Sequence, residues 1–211
     1  MKSGIRHLLF GVVGSLCMAA ASNAAMAANC SYTPDEKGFK FSFTAFGAPD
    51  KSYVVSKNTF KKYEVASSTG KLEGATINID STSLDTSADL NNGEGGKWDA
   101  GIPMIRNMNV VSGLFKNFAN PGKISAKIDK IEGETLQLAV TMNDVTKVIP
   151  MKVTEKGSNF HAKGTLDIIK DFNGSKAFAK FEKVCTQAFH KGKSWSDVDI
   201  EFEVPVKKSC K

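Results

Sequence analysis

The residues that could do chemistry are few, and their spacing serves chemistry poorly. Asp80 and Asp85 are close enough in sequence to suggest an acid/base pair, with Ser83 between them. Asp and Ser beyond a strand are, however, the residues that build turns through side-chain bonds to their own backbone. No serine lies in a Gly-x-Ser-x-Gly elbow, and no cysteine has a histidine in a pattern that would activate it. Gly93-Glu-Gly-Gly96 lacks the Lys-Ser/Thr of a phosphate-binding loop. His161 and His190 have no ligand at a useful interval and there is no Cys-x-x-Cys, so no metal site is expected. The chain therefore reads as a binding protein with no catalytic residues and no catalytic cofactor, not as an enzyme. An enzyme would have to bring Asp80, Ser83 and His161 together inside a cavity. Asp171-Phe-Asn-Gly-Ser175 matches the short acceptor pattern of bacterial N-glycosylation at Asn173.

The N-terminus explains the cysteine chemistry. Lys2 and Arg6, an apolar stretch from Leu8 to about Ala21, and Ala25 and Ala27 around Met26 make up a secretory signal, with cleavage expected after Ala27. The stretch is broken by Gly11, Gly14 and Ser15 and falls short of the ~20 apolar residues that span a bilayer, so residues 28–211 should form one exported domain without an integral membrane segment. Leu16 and Asn29 precede Cys17 and Cys30 where a lipoprotein signal would have a small residue. The expected compartment is the periplasm, or outside the cell. There, Cys30, Cys185 and Cys210 imply one disulfide and one odd thiol. Cys30 and Cys210 could staple the first and last strands at one rim if these are neighbours; Cys185 competes as a partner. Beyond the signal, 26 basic residues face 22 acidic ones, and the lysines are scattered, which argues against a nucleic-acid partner.

The elements that would position a binding site are mostly strands. Apolar and polar residues alternate with period two through Phe39, Phe41 and Phe43, through Ala75, Ile77 and Ile79, and through Ile124, Ala126 and Ile128. Leu136, Leu138, Val140 and Met142 continue the pattern, Asn143-Asp144 supplies a turn, and Val148 to Val153 returns. Phe160 to Ile169 forms another strand, and Val198, Ile200, Phe202 and Val204 give the cleanest alternation. With weaker strands at Tyr53 to Val55 and Lys62 to Ala66 the count is about eight, which suits an antiparallel barrel able to hold one small ligand. A β-sandwich is the alternative. From Trp98 to Ala119, Ile102, Ile105, Met108, Val111 and Phe115 recur at helical steps. From Ser175, an expected N-cap, Phe178, Phe181, Cys185, Ala188 and Phe189 form an apolar stripe running to Gly192 as a stop. These one or two short helices should cap one end of the barrel.

Two segments carry a resemblance to the YceI family. Ala75-Thr-Ile-Asn-Ile-Asp-Ser-Thr-Ser-Leu-Asp-Thr86 resembles its strand ending in an aspartate that runs into Ser-Leu-Asp-Thr. Leu136 to Val148 looks like its second signature, and Trp195-Ser-Asp-Val-Asp-Ile-Glu-Phe like its closing strand. The family's Arg-Asp pair and Phe-Phe segment are replaced by Arg106-Asn107 and Leu114-Phe115, after a polar stretch that includes Ala88 to Gly96. The resemblance implies a lipocalin-like eight-stranded barrel that holds a long isoprenoid, a quinone tail or a polyprenyl phosphate, or another fatty lipid, in the periplasm. By analogy it also allows a homodimer. The expected cavity lining is Phe41, Phe43, Ile77, Leu138, Val140, Ile200 and Phe202, with Phe178 and Phe181 near the mouth. The alternative function is an envelope structural, interaction or stress protein that works without a stoichiometric ligand.

Overall fold

The computed structural model describes residues 30–185 and 188–210; the segment read as a signal lies outside them. Alternation becomes strand wherever it was legible. In chain order the strands are β1 (Cys30–Pro34), β2 (Lys40–Gly47), β3 (Tyr53–Phe60), β4 (Tyr63–Ala66), β5 (Thr76–Asp80) and β6 (Leu84–Asp85). After helix α1 (Gly101–Gly113) come β7 (Lys123–Glu132), β8 (Thr135–Met142), β9 (Val145–Lys156) and β10 (Asn159–Asp167). Helix α2 (Ser175–Cys185) and β11 (Asp197–Cys210) complete the described chain. All pairings between strands are antiparallel, in the order β4-β5-β7-β8-β9-β10-β11-β2-β3-β6, with β1 added on β11.

The sheet has eleven strands where eight were expected. The difference has a local cause. Only Lys61 and Lys62 separate β3 from β4, and a single 3-10 turn at Ser81–Ser83 separates β5 from β6. The outer strands β4 and β6 are thus halves of two interrupted paths, and the breaks are tied together. The Lys61 N–H donates to Ser83 O at 2.9 Å, and the Asp80 N–H donates to Lys62 O at 3.0 Å. The sheet therefore curls strongly and its ends are brought together, as expected of a barrel-like fold. The eleventh strand, β1, is short and has one buried residue, Tyr32, so its alternation is weak in sequence. It forms because β11 is long: β2 occupies the Asp199 to Glu203 part and leaves Val206 to Cys210 to pair with Pro34 to Cys30. That register sets Cys30 opposite Cys210, and the two form a disulfide while Cys185 is free.

The hairpin expected at Asn143-Asp144 is present, and both residues have positive φ, 53° and 59°, as a tight two-residue turn between right-twisted strands requires. On the outer face, β2 and β11 pair polar rows: Lys40 contacts Glu203 at 2.9 Å, and Ser42 donates to Glu201.

Inward side chains fill the two ends differently. Phe39, Ile128, Leu136, Phe160, Phe202 and Val204 pack at the end near β1 into a solid floor, where the Phe39 and Phe202 rings stack at 5.1 Å and Tyr32 meets Phe160 edge-on at 4.9 Å. The helices lie at the other end and pack on each other. At Gly113 a Cβ would lie 2.9 Å from Val184 Cγ2 and 3.0 Å from Phe181 Cα, so only glycine permits this approach.

Both helices differ from their sequence reading. α2 starts at Ser175 but ends at Cys185 instead of Gly192; residues 186 and 187 lie outside the described chain, and Phe189 belongs to a separate 3-10 turn. Gly174, not Ser175, precedes the helix, and its carbonyl accepts the Phe178 N–H at 2.8 Å. α1 buries Pro103, Arg106 and Gly113, whereas Ile105 and Met108 of the expected apolar row are exposed. Pro103 sits in the first turn, where its missing N–H breaks no helical bond.

Candidate functional site

Between the floor and the helices lies a cavity of about 150 Å³. Its walls come from alternate residues of several strands: Phe41 and Phe43 of β2, Ile79 of β5, Ile124 and Ala126 of β7, Leu138 and Val140 of β8, and Ile200 of β11. Val110 of α1 with Phe178 and Phe181 of α2 make the cover. Seven of the nine residues expected to line a cavity therefore do so. Ile77 and Phe202 do not: both face inward, but one step nearer the floor, where they are buried in packed core. Their alternation gave the face correctly; depth along the axis is not encoded in a period of two.

The sequence reading missed the polar end of this cavity. Arg106 is the only charged residue of α1 and turns inward. Its Nη1 lies 3.1 Å from Asp89 Oδ2, its Nε donates to the Tyr53 hydroxyl at 3.1 Å, and its guanidinium lies 4.5 Å from the Trp98 ring. Asp89 is fully buried and accepts from the Trp98 indole at 2.8 Å, the Ser56 N–H at 3.1 Å and the Asn91 amide at 2.8 Å. A buried carboxylate is held by such a set of donors, because both its charge and its lone pairs need partners. Arg106 Nη2, by contrast, is buried and has no hydrogen-bond partner among the described residues. Asn58 Oδ1, also in the lining, is unpartnered as well, while its Nδ2 donates to Val55 O at 2.7 Å. Asn58 reaches the interior through a bulge. Lys57 has φ 55°, the pairing with β2 shifts between Phe43 and Ala45, and both Val55 and Asn58 then face inward.

Burial governs ionisation here. It pushes the Cys185 thiol up to about 11, outweighing the opposite pull of Arg106. It raises the Tyr53 phenol, again against Arg106, and lowers the His190 imidazole, with Arg106 lowering it further. Near neutral pH these three groups are uncharged. His190 Nδ1 is 3.0 Å from the Ser194 hydroxyl, and a Cβ at Gly47 would lie 2.5 Å from that same nitrogen, so glycine lets this turn close on β2.

Asp80, Ser83 and His161 are not brought together. Asp80 caps the 3-10 turn by accepting the Thr82 N–H at 2.9 Å, Ser83 donates to Asp80 O, and His161 pairs with Glu201 at 3.3 Å on the outer face. None of them lines the cavity. Asn173 is exposed in the turn before α2, with φ 52°. Among the described residues no group of three or more His, Cys, Asp and Glu is placed to hold a metal ion, and no helix is long and apolar enough to cross a membrane.

No family model and no curated protein matches the chain. Among solved structures it is similar to the crystal structure of Burkholderia cenocepacia BcnA, at 19% identity, over 82% of this chain and 99% of that one, with a TM-score of 0.44. That likeness says nothing of the ligand, which has to be read from the cavity itself.

Proposed function

We propose that the chain binds a lipid-like molecule, with its apolar chain inside the curled sheet and its polar end at Arg106 and Asn58. The observation that carries this reading is a cavity walled by aliphatic and aromatic side chains, with one unpaired donor and one unpaired acceptor buried in its lining. Apolar area removed from water contributes about 25 cal/mol per Å², so such walls bind without charged contacts, while convergent polar atoms fix orientation. Asp89 already balances the Arg106 charge, so the free Nη2 suits an uncharged oxygen, such as a quinone carbonyl or a polyprenol hydroxyl, better than a phosphate. A long isoprenoid is the cargo that the YceI-like motifs suggest, and the signal-like N-terminus and the disulfide support a periplasmic setting.

The cavity is smaller than the roughly 300–1,000 Å³ of ordinary ligand sites. A long chain therefore requires α1 and α2 to ride outward, or Phe41, Phe43, Phe178 and Phe181 to turn. Organic extraction of the purified protein followed by mass spectrometry tests the reading, together with titration by polyprenols and quinones. A stoichiometric isoprenoid or other lipid supports it. An empty extract and no binding on titration would abandon it in favour of an envelope interaction protein, which the small cavity favours.

A further inference from the structure

The outward face of α1 is apolar where a surface helix is ordinarily polar. Met104 and Met108, one turn apart, are 67% and 61% exposed, and Ile105 beside them is also exposed. Leu90, Val184 and Phe189 extend the exposed apolar surface around the same end. Val184 joins α1 through its carbonyl, which accepts from Asn109, and the Phe189 ring meets that of Trp98, in the segment before α1, at 5.2 Å. Exposed lysines flank these apolar residues along the chain. Lys97 precedes α1 and Lys116 follows it; Lys180 reaches Asn117 at 2.7 Å, Lys183 adjoins Val184, and Lys191 and Lys193 follow Phe189. The acids of the same region are fewer: Glu94, Asp99, Glu182 and Asp50 beside Lys191, with Asp89 buried against Arg106.

We infer that this end docks on an anionic lipid bilayer, with Met104, Ile105 and Met108 entering the interfacial layer and the lysines resting on the headgroups. Two observations select a membrane over another occupant. Apolar residues flanked by cations have the chemistry of an interfacial anchor, which adds buried apolar area to attraction for acidic lipids. The same helix also carries Arg106 and Val110 on its inner face, so the docked surface is the outside of the cavity's own cover. This inference rests on the lipid-binding reading and adds to it: loading would take place at the membrane, with the bilayer drawing α1 away from α2 and the cavity opening towards its cargo.

Vesicle flotation of the intact protein tests this, using phosphatidylglycerol-containing vesicles against pure phosphatidylcholine. Binding is expected to the anionic vesicles only, and to fall roughly tenfold at about 0.5 M salt, where charges are screened beyond ~4 Å. M104E/M108E should weaken it at least tenfold, and K180E/K183E by at least about fivefold per substitution, since each removes a positive charge and adds a negative one. Equal binding to both vesicles, no binding, or unchanged binding in both variants overturns the inference. So does a wild-type dimer that M104E/M108E turns into a monomer, since the occupant would then be a second copy. Titration with a short-chain quinone in solution, unaltered in M104E/M108E, reads the cavity separately. Vesicle binding without quinone uptake would sink the carrier and leave the docking, and the reverse result would do the opposite.

Discussion

Arg106 is fixed by Asp89, Tyr53 and Trp98 but, among the described residues, leaves one amino group without a partner, so its pair with Asp89 bears on both fold and ligand. Asp89→Ala strands a buried guanidinium and should lower unfolding free energy by about 3–5 kcal/mol in urea. Arg106→Met, which removes the charge but keeps the stem, leaves Asp89 buried with its neutral donors but no counter-charge, so it should also lower unfolding free energy by about 3–5 kcal/mol and, in protein that stays folded, weaken ligand binding. Cys185 reports on the same region. With its thiol at about 11, the thiolate fraction at pH 8 is about one part in a thousand, so a maleimide should label the native protein at least ~100-fold more slowly than the unfolded chain. Rapid native labelling would mean that α2 is not seated. His190 gives the pH dependence. Its folded imidazole titrates below the ordinary 6.5, so the unfolded chain takes up the proton first on acidification. The stability from His190 is complete above 6.5 and is lost as pH falls through the folded value. A fall in melting temperature between pH 7.5 and 5.5 is expected, and His190→Gln should flatten it; an identical slope in the variant would assign the effect to another group.

Elements that bury one face of a sheet were legible, because alternation states directly which residues turn inward. Phe41, Phe43, Leu138, Val140 and Ile200 were readable in this way, and so was the Asn143-Asp144 turn. α1 was not. Its strongest apolar row includes Ile105 and Met108, yet the helix turns Arg106 inward, because Asp89 waits buried on the polar stretch before it and no local pattern announces that partner. The end of α2 was misjudged for a related reason: Phe189 continues the stripe in sequence but stacks on Tyr53 from a separate turn. The contact between the helices is itself testable. Gly113→Val would push on Val184 and on the Phe181 backbone, and should cost about 1–3 kcal/mol in denaturant melts while loosening the cover. An unchanged stability would show that α1 and α2 part easily.

Across the whole molecule, the disulfide closes nearly the full described chain, with Cys30 and Cys210 180 positions apart. Chain-entropy reasoning puts its removal at about 2–5 kcal/mol, so Cys30→Ser/Cys210→Ser should melt well below the oxidised protein, and dithiothreitol should lower wild type to the same point. Because the bridge lies at the floor end, away from the helices, its loss should leave lipid binding intact while the protein remains folded. The contrast between a stapled, ring-packed floor and a hollow helical end divides the molecule into two mechanical poles. Backbone amides of β8 and β11 near the floor should exchange with deuterium only by global unfolding, whereas those of α1 and α2 should exchange by local opening. The helical pole can therefore breathe repeatedly without risking the fold, and a mutation could retune how readily it opens while leaving overall stability almost unchanged.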